Sequence, residues 1–196
     1  MKSNILVING HPDPESYCKG LSDAYIKGAQ RAGSNVNFID LSHIQFNPNL
    51  KYGYRKRTDL EDDLVKAQEL IRWADHLVFV YPLWWGAMPA VLKGFIDRIF
   101  LPGFAMKYRE GSLLWDKLLK GKSAHLIVTM DTPRWYNHLI YRQAGHRVMK
   151  LNILNFSGVS PVRVTEISPI KGSTEAFRLK WLEKIEALGM KQGKGQ

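Results

Sequence analysis

Apolar and polar positions along the chain alternate between short continuous runs and longer segments of helical period. NILVING (Asn4 to Gly10) is rich in β-branched residues and free of charge, the pattern of a strand buried on both faces. Ser16 to Ala32 places Leu21, Ala24, Tyr25 and Ala29 on one helical face, with Gly33 as its cap. NVNFIDL (Asn35 to Leu41) alternates and predicts a second strand. A polar, proline-bearing loop from Ser42 to Thr58 leads to a helix opened by Asp59, with Leu60, Leu64, Ala67, Ile71 and Ala74 inward. Its early acids, Asp59, Glu61, Asp62 and Asp63, sit where the helix dipole favours them. HLVFVYP (His76 to Pro82) is the most apolar strand and ends at Pro82, which has no N–H for a ladder. A helix from Pro89 to Phe100 follows, then the strand AHLIVTMD (Ala124 to Asp131) and a long aromatic stretch, TPRWYNHLIYRQAG. The pattern closes with a helix from His146 to Phe156, the strand PVRVTEI (Pro161 to Ile167) and an amphipathic helix from Thr174 to Leu188. The residual KQGKGQ, within residues 190–196, reads as a disordered tail.

Five nearly continuously apolar strands alternating with helices predict an α/β fold, a parallel sheet covered on both faces. Five strands favour a flavodoxin-like three-layer sandwich of order 2-1-3-4-5 over a six-stranded dinucleotide-binding sheet, with residues 1–196 forming a single domain. In that order the crevice opens between strands one and three, where the loops NGHPDPESYCK and YPLWWGAMP meet. The first runs into a helix N-terminus, whose free N–H groups and dipole favour an anion, with Ser16 and His11 as side-chain donors. Ser16 also suits plain N-capping. The loop is neither a Walker A nor a GxGxxG sequence, so a single phosphate or pyrophosphate fits it best. The second loop carries Trp84, Trp85, Gly86 and Pro89, either a flat wall for an aromatic ligand or part of the core or of a subunit interface. Cys18 stands near the helix start, a position that can lower a thiol's pKa, but no second cysteine is present to support a catalytic role.

Composition narrows the classes. One cysteine in 196 residues permits no internal disulfide and suggests a reducing compartment. Neither a signal peptide nor a membrane span is evident, and a cytoplasmic protein is expected. The formal net charge of +10 favours anionic partners. Its densest cluster, KYGYRKR (Lys51 to Arg57), suits a nucleic-acid patch or a solvated loop near an anionic cofactor, such as the 2′-phosphate of NADPH. No zinc spacing or RNA-binding signature accompanies it, and nucleic acid is not the expected partner. Six scattered histidines, without a His-x-x-x-His or a cysteine pair, predict no metal site.

GHPDPESYCKGL, FNP at Phe46 to Pro48, and YPLWWGAMPAVLKGFIDRIFLPGFAM together resemble the flavin-dependent NAD(P)H:quinone oxidoreductases of flavodoxin-like fold, over roughly Asn4 to Ile167. The resemblance implies non-covalent FMN or FAD, NAD(P)H as co-substrate, and hydride passed through flavin N5 to a quinone by a ping-pong mechanism. It places His11, Ser16 and Tyr17, with Cys18 beside them, at the flavin phosphate, and Pro82, Leu83, Trp84 and Trp85 along the ring. The loop after the fourth strand would supply backbone contacts to the ring. Where many members have Thr-Thr-Gly-Gly, this chain has Thr129, Met130, Asp131, Thr132 and then Pro133, a departure that touches the ring's pose. His146 and a tyrosine, Tyr141 or Tyr136, match the residues proposed in relatives to handle charge on the reduced flavin. A homodimer with shared sites is implied too. Some relatives are instead ancillary subunits of glutathione-gated potassium efflux systems, a role that would bring peripheral contact with a membrane transport protein. A one-electron carrier is a third class, against which the basic charge argues.

Overall fold

A computed structural model describes residues 3–193. Its strands are β1 (Asn4–Asn9), β2 (Asn35–Asp40), β3 (His76–Pro82), β4 (Met106–Tyr108), β5 (Trp115–Lys117), β6 (Ser123–Thr129) and β7 (Val162–Ile167). Its helices are α1 (Tyr17–Arg31), α2 (Asp62–Trp73), α3 (Ala90–Ile99), α4 (Arg134–Leu139), α5 (Ala144–Arg147) and α6 (Glu175–Gly193). A π-helical segment, Val148–Asn155, continues α5. The parallel sheet runs β2-β1-β3-β6-β7, the expected 2-1-3-4-5 order once the small antiparallel β4–β5 pair is set aside.

Alternation along the strands divides the core in two. Leu6, Ile8, Leu77, Phe79, Tyr81, Leu126 and Val128 face α2, α3 and the π-helical segment. Ile5, Val7, Val78, Val80 and Ile127 face α1 and α6. Because both faces are covered, the strands need no polar side, which explains their unbroken apolar runs.

Several boundaries differ from the sequence reading, each for a tertiary reason. The second helix begins at Asp62 rather than Asp59. Glu61 cannot cap it, because its carboxylate is held by buried Arg98 (2.7 and 3.1 Å) and by the Asn47 N–H (3.1 Å). The same guanidinium takes the carbonyls of Asn47 and Asp59, so it pins the loop before α2 onto α3. The helix expected from His146 to Phe156 is α5, which starts two residues earlier at Ala144 and turns π-helical. The expected tail is helical through Gly193, and its remaining residues, 194–196, lie outside the described ones. Glycines, poor helix formers, extend α6 because they let its backbone press on α1.

That contact is testable. A Cβ on Gly28 would lie 1.9 Å from the Glu186 carbonyl oxygen, and one on Gly189 would lie 2.2 Å from that of Tyr25. Backbone cannot yield as a side-chain tip can, so Gly28→Ala should cost about 1–3 kcal/mol despite alanine's better helix propensity. Gly20→Ala, which meets only Leu182 at 3.7 Å, is the control. Urea midpoints that fall alike in both variants, or in neither, would contradict this packing account.

Candidate functional site

The crevice between the carboxyl ends of β1 and β3 is framed by two loops. Asn9, the last residue of β1, is buried, donates to Asp40 (3.0 Å) and accepts the His11 N–H (3.3 Å). His11 Nδ1 accepts the Asp13 N–H (3.0 Å), which leaves the ring's proton on Nε2. Burial holds this histidine below its ordinary pKa, outweighing the pull of Asp13 and Asp40, so it is neutral at pH 7. Asp13 then takes the Glu15 N–H (2.9 Å), and Ser16 Oγ caps α1 on Lys19 N (3.3 Å). The N–H groups of Tyr17 and Cys18, in the first turn, have no intrahelical acceptor. No acid lies in that turn to neutralise the dipole. The result is an anion cradle on a 15-residue helix.

Side chains around the cradle are less available than their backbone. Tyr17 gives its hydroxyl to the Arg178 carbonyl (2.8 Å), and burial pushes its pKa up to about 12. Cys18 is buried with Sγ 3.5 Å from Thr129 Oγ1. Burial raises its thiol to about 11, so the lowering suggested by the helix start does not occur. Desolvation defeats the dipole there, and the thiol is inert at neutral pH.

The second loop is a two-residue hairpin turn. Trp84 and Ala87 exchange backbone hydrogen bonds of 2.9 and 3.0 Å, with Trp85 (φ 52°) and Gly86 (φ 74°) in the left-handed region. Glycine meets that demand freely, but a tryptophan with positive φ is strained. Trp85 stands wholly in solvent, while Trp84, 44 % exposed, meets His11 edge to face at 5.2 Å. Pro82 is buried at the end of β3, and Leu83 donates to the Thr129 carbonyl (2.8 Å). One tryptophan therefore borders the crevice and the other does not.

The loop after β6 is already engaged with β7. Met130 donates to Ile167 O and accepts from Ile170 N (both 3.1 Å), and Asp131 Oδ1 accepts the Lys171 N–H (2.7 Å). The Thr132 carbonyl takes the Ser168 hydroxyl. What this loop can still offer is the N–H groups of Asp131 and Thr132, which take no part in these bonds.

The aromatic stretch that follows is anchored by a residue that periodicity does not reveal. Glu166, on β7, is 5 % exposed and accepts from Asn137 Nδ2 (2.8 Å), His146 Nε2 (2.8 Å), His138 Nε2 (2.9 Å) and Arg134 Nε (3.2 Å). Burial opposes its charge, yet hydrogen bonds from His138, His146 and Arg134 prevail and hold the carboxyl at about 2. His146 is buried and kept below its ordinary pKa by that burial, so it is neutral and gives Nε2–H to Glu166. Its Nδ1 has no partner. Gly145 lies directly against the Gly86 carbonyl and Leu83, which ties the start of α5 to the tryptophan turn. Tyr141, half exposed, packs edge to face on Tyr136 at 5.0 Å. Among the described residues no group of His, Cys, Asp or Glu is placed to hold a metal ion, and no helix is long and apolar enough to cross a membrane.

Residues 3–188 match a family model described as flavodoxin-like fold. A Haemophilus influenzae protein named as an uncharacterized NAD(P)H oxidoreductase is 29 % identical over 165 residues, 81 % of this chain and 80 % of that one. Human ribosyldihydronicotinamide dehydrogenase [quinone] is 30 % identical over 149 residues, covering 64 % of this chain and 62 % of its own. The chain thus spans about three fifths of that relative's length. Among solved structures, Smu.1420 from Streptococcus mutans superposes with a TM-score of 0.83 at 32 % identity, covering 96 % of this chain and 99 % of that one.

Proposed function

Because the chain belongs to the family of flavodoxin-like fold, we propose that it is a flavin-dependent NAD(P)H:quinone oxidoreductase. The observation that carries this reading is the meeting of His11 and Trp84 across the crevice, which joins an anion cradle to an aromatic wall. A phosphorylated, flat cofactor such as FMN, or the corresponding part of FAD, suits both halves. The relatives named for NAD(P)H and quinone chemistry support the same substrates.

In this reading the Tyr17 and Cys18 N–H groups, Ser16 and the His11 Nε2–H hold the phosphate. Pro82, Leu83 and Trp84 border the ring, and Asp131 and Thr132 give backbone N–H groups to its edge. A bound flavin supplies the exchange of hydride between nicotinamide and quinone. The protein's part is to stack, orient and exclude water. His146, whose Nε2–H is fixed on Glu166, would answer negative charge on the reduced flavin only after Nδ1 takes up a proton and becomes a donor, and the Tyr141 hydroxyl would donate from the rim.

The exposed apolar side chains Trp85, Trp135, Leu139, Ile140 and Tyr141 support a homodimer in which a second copy covers this side of the site. Sedimentation showing only monomer at micromolar concentration would remove that element.

Purified protein should carry, or take up, a yellow flavin and turn over NADPH with menadione. Trp84→Ala should weaken flavin binding by about 1–3 kcal/mol, the usual worth of one aromatic stacking surface, or roughly ten- to a hundredfold in Kd. A wild-type protein that binds neither FMN nor FAD would end this reading.

A further inference from the structure

A cleft of about 600 Å3 runs along the outer edge of β7, between the π-helical segment and the last turns of α6. Its rim carries four cations: Arg147, Lys150, Arg163 and Lys191. None of the four forms an ion pair among the described residues. No acidic side chain lines the cleft. Leu151, Val162, Val164 and Leu188 give it apolar surface, beside the neutral polar side chains of Gln143, Thr165 and Gln192 and the rings of His125 and His146.

The strand edge adds fixed donors and acceptors. Ala124 N of β6 donates to the Pro161 carbonyl (2.9 Å) and Met130 N, just past β6, to that of Ile167 (3.1 Å), so the alternate residues Val162 and Val164 turn their backbone groups away from β6, toward the cleft. Four like charges around one concavity repel each other and focus a positive potential into it, a cost that an anionic ligand would relieve. The volume is that of a small-molecule site.

We propose that this cleft binds a small amphiphilic anion, an organic phosphate or carboxylate whose apolar body lies on Val162, Val164 and Leu188 while its charged head is held by Arg163 and Lys150. The cleft uses none of the cradle residues of the crevice between β1 and β3, and of the residues assigned to the flavin it meets only His146.

The test is calorimetric titration of the flavin-saturated protein with decyl phosphate below its micellar range, beside inorganic phosphate and decyl maltoside. Decyl phosphate should bind at least tenfold more tightly than either, and more weakly as salt is raised. The double variant Arg163→Glu, Lys150→Glu should weaken it at least tenfold, with Arg163→Gln, Lys150→Gln intermediate and Lys107→Glu, on β4, unchanged. Flavin content should stay at the wild-type level throughout, which separates this site from the crevice. The proposal is overturned by equal affinity in the wild-type and charge-reversed proteins, by equal affinity for decyl phosphate and inorganic phosphate, or by no binding at all.

Discussion

Glu166→Ala is expected to destabilise the protein by about 2–6 kcal/mol, the cost of leaving two buried polar partners without their acceptor. Not every donor contributes equally. Arg134 and His138 are 61 % and 47 % exposed and can turn to water when the carboxylate is gone. Asn137 and His146 cannot, since both are buried, and each orphaned polar group costs about 1–3 kcal/mol. The expected loss is therefore carried by those two. Glu166→Gln keeps the volume but points an amide N–H at one of these donors, so it should fall between wild type and alanine. Activity should fall with stability, for a specific reason. Glu166 fixes the proton of His146 on Nε2 and anchors the segment from Arg134 to His146, whose Gly145 bears on the tryptophan turn. As a positioning residue it should alter kcat and the pH profile of turnover more than KM for NADPH. Guanidinium midpoints and steady-state kinetics on both variants measure this. An alanine variant within about 0.5 kcal/mol of wild type, the range of ordinary surface changes, would mean that the cluster does not anchor the segment.

Glu166 also marks the limit of what could be read from the chain. The five strands of the main sheet were legible because burial on both faces writes itself as uninterrupted apolar residues, as in HLVFVYP. The two crevice loops followed from strand order alone, since the switch point is a topological consequence and needs no knowledge of side chains. Where a single residue's environment decides, the chain was mute. Glu166 in PVRVTEI looks like any polar residue on a solvated strand face, and only the fold brings Asn137 and His146 over it. β4 and β5, three residues each, are too short to show a period. Cys18 illustrates competing effects: position next to a helix start is visible in sequence, whereas the burial that overrides it is not. Nor could two adjacent tryptophans be told apart, because the turn that sends Trp85 to solvent and Trp84 to His11 depends on a positive φ at Trp85.

A second pair of buried groups should make the fold acid-sensitive well above the carboxylate range. His76 and His125 lie on the α1–α6 side of the sheet, where Tyr25 packs edge to face on His125 at 6.3 Å. His76 Nδ1 meets Ser123 Oγ at 2.7 Å, and His125 Nε2 meets Thr165 Oγ1 at 2.8 Å. Burial lowers His76 to about 3, helped by the charges of His125 and Arg163, and lowers His125 to about 4, helped by Arg163. In the unfolded chain both would titrate near 6.5. Between those limits the unfolded state binds protons that the native state refuses, so stability falls as pH falls from about 6.5. Each ring withdraws about 1.4 kcal/mol per pH unit, or about 2–3 kcal/mol by pH 4.5. The two rings repel once charged, but the native state takes up neither proton in this window, so both losses operate together. His146, also held low by burial, adds in the same direction, and Glu166 adds only below about 4.5, as its unfolded form protonates. Urea midpoints from pH 7 to 4.5 should therefore drop steeply, and His76→Gln with His125→Gln should flatten the slope although the double variant starts from a lower plateau. A wild-type midpoint that is level across this range, or an unchanged slope in the double variant, would show that the two rings are charged in the native state and that their burial carries no proton linkage.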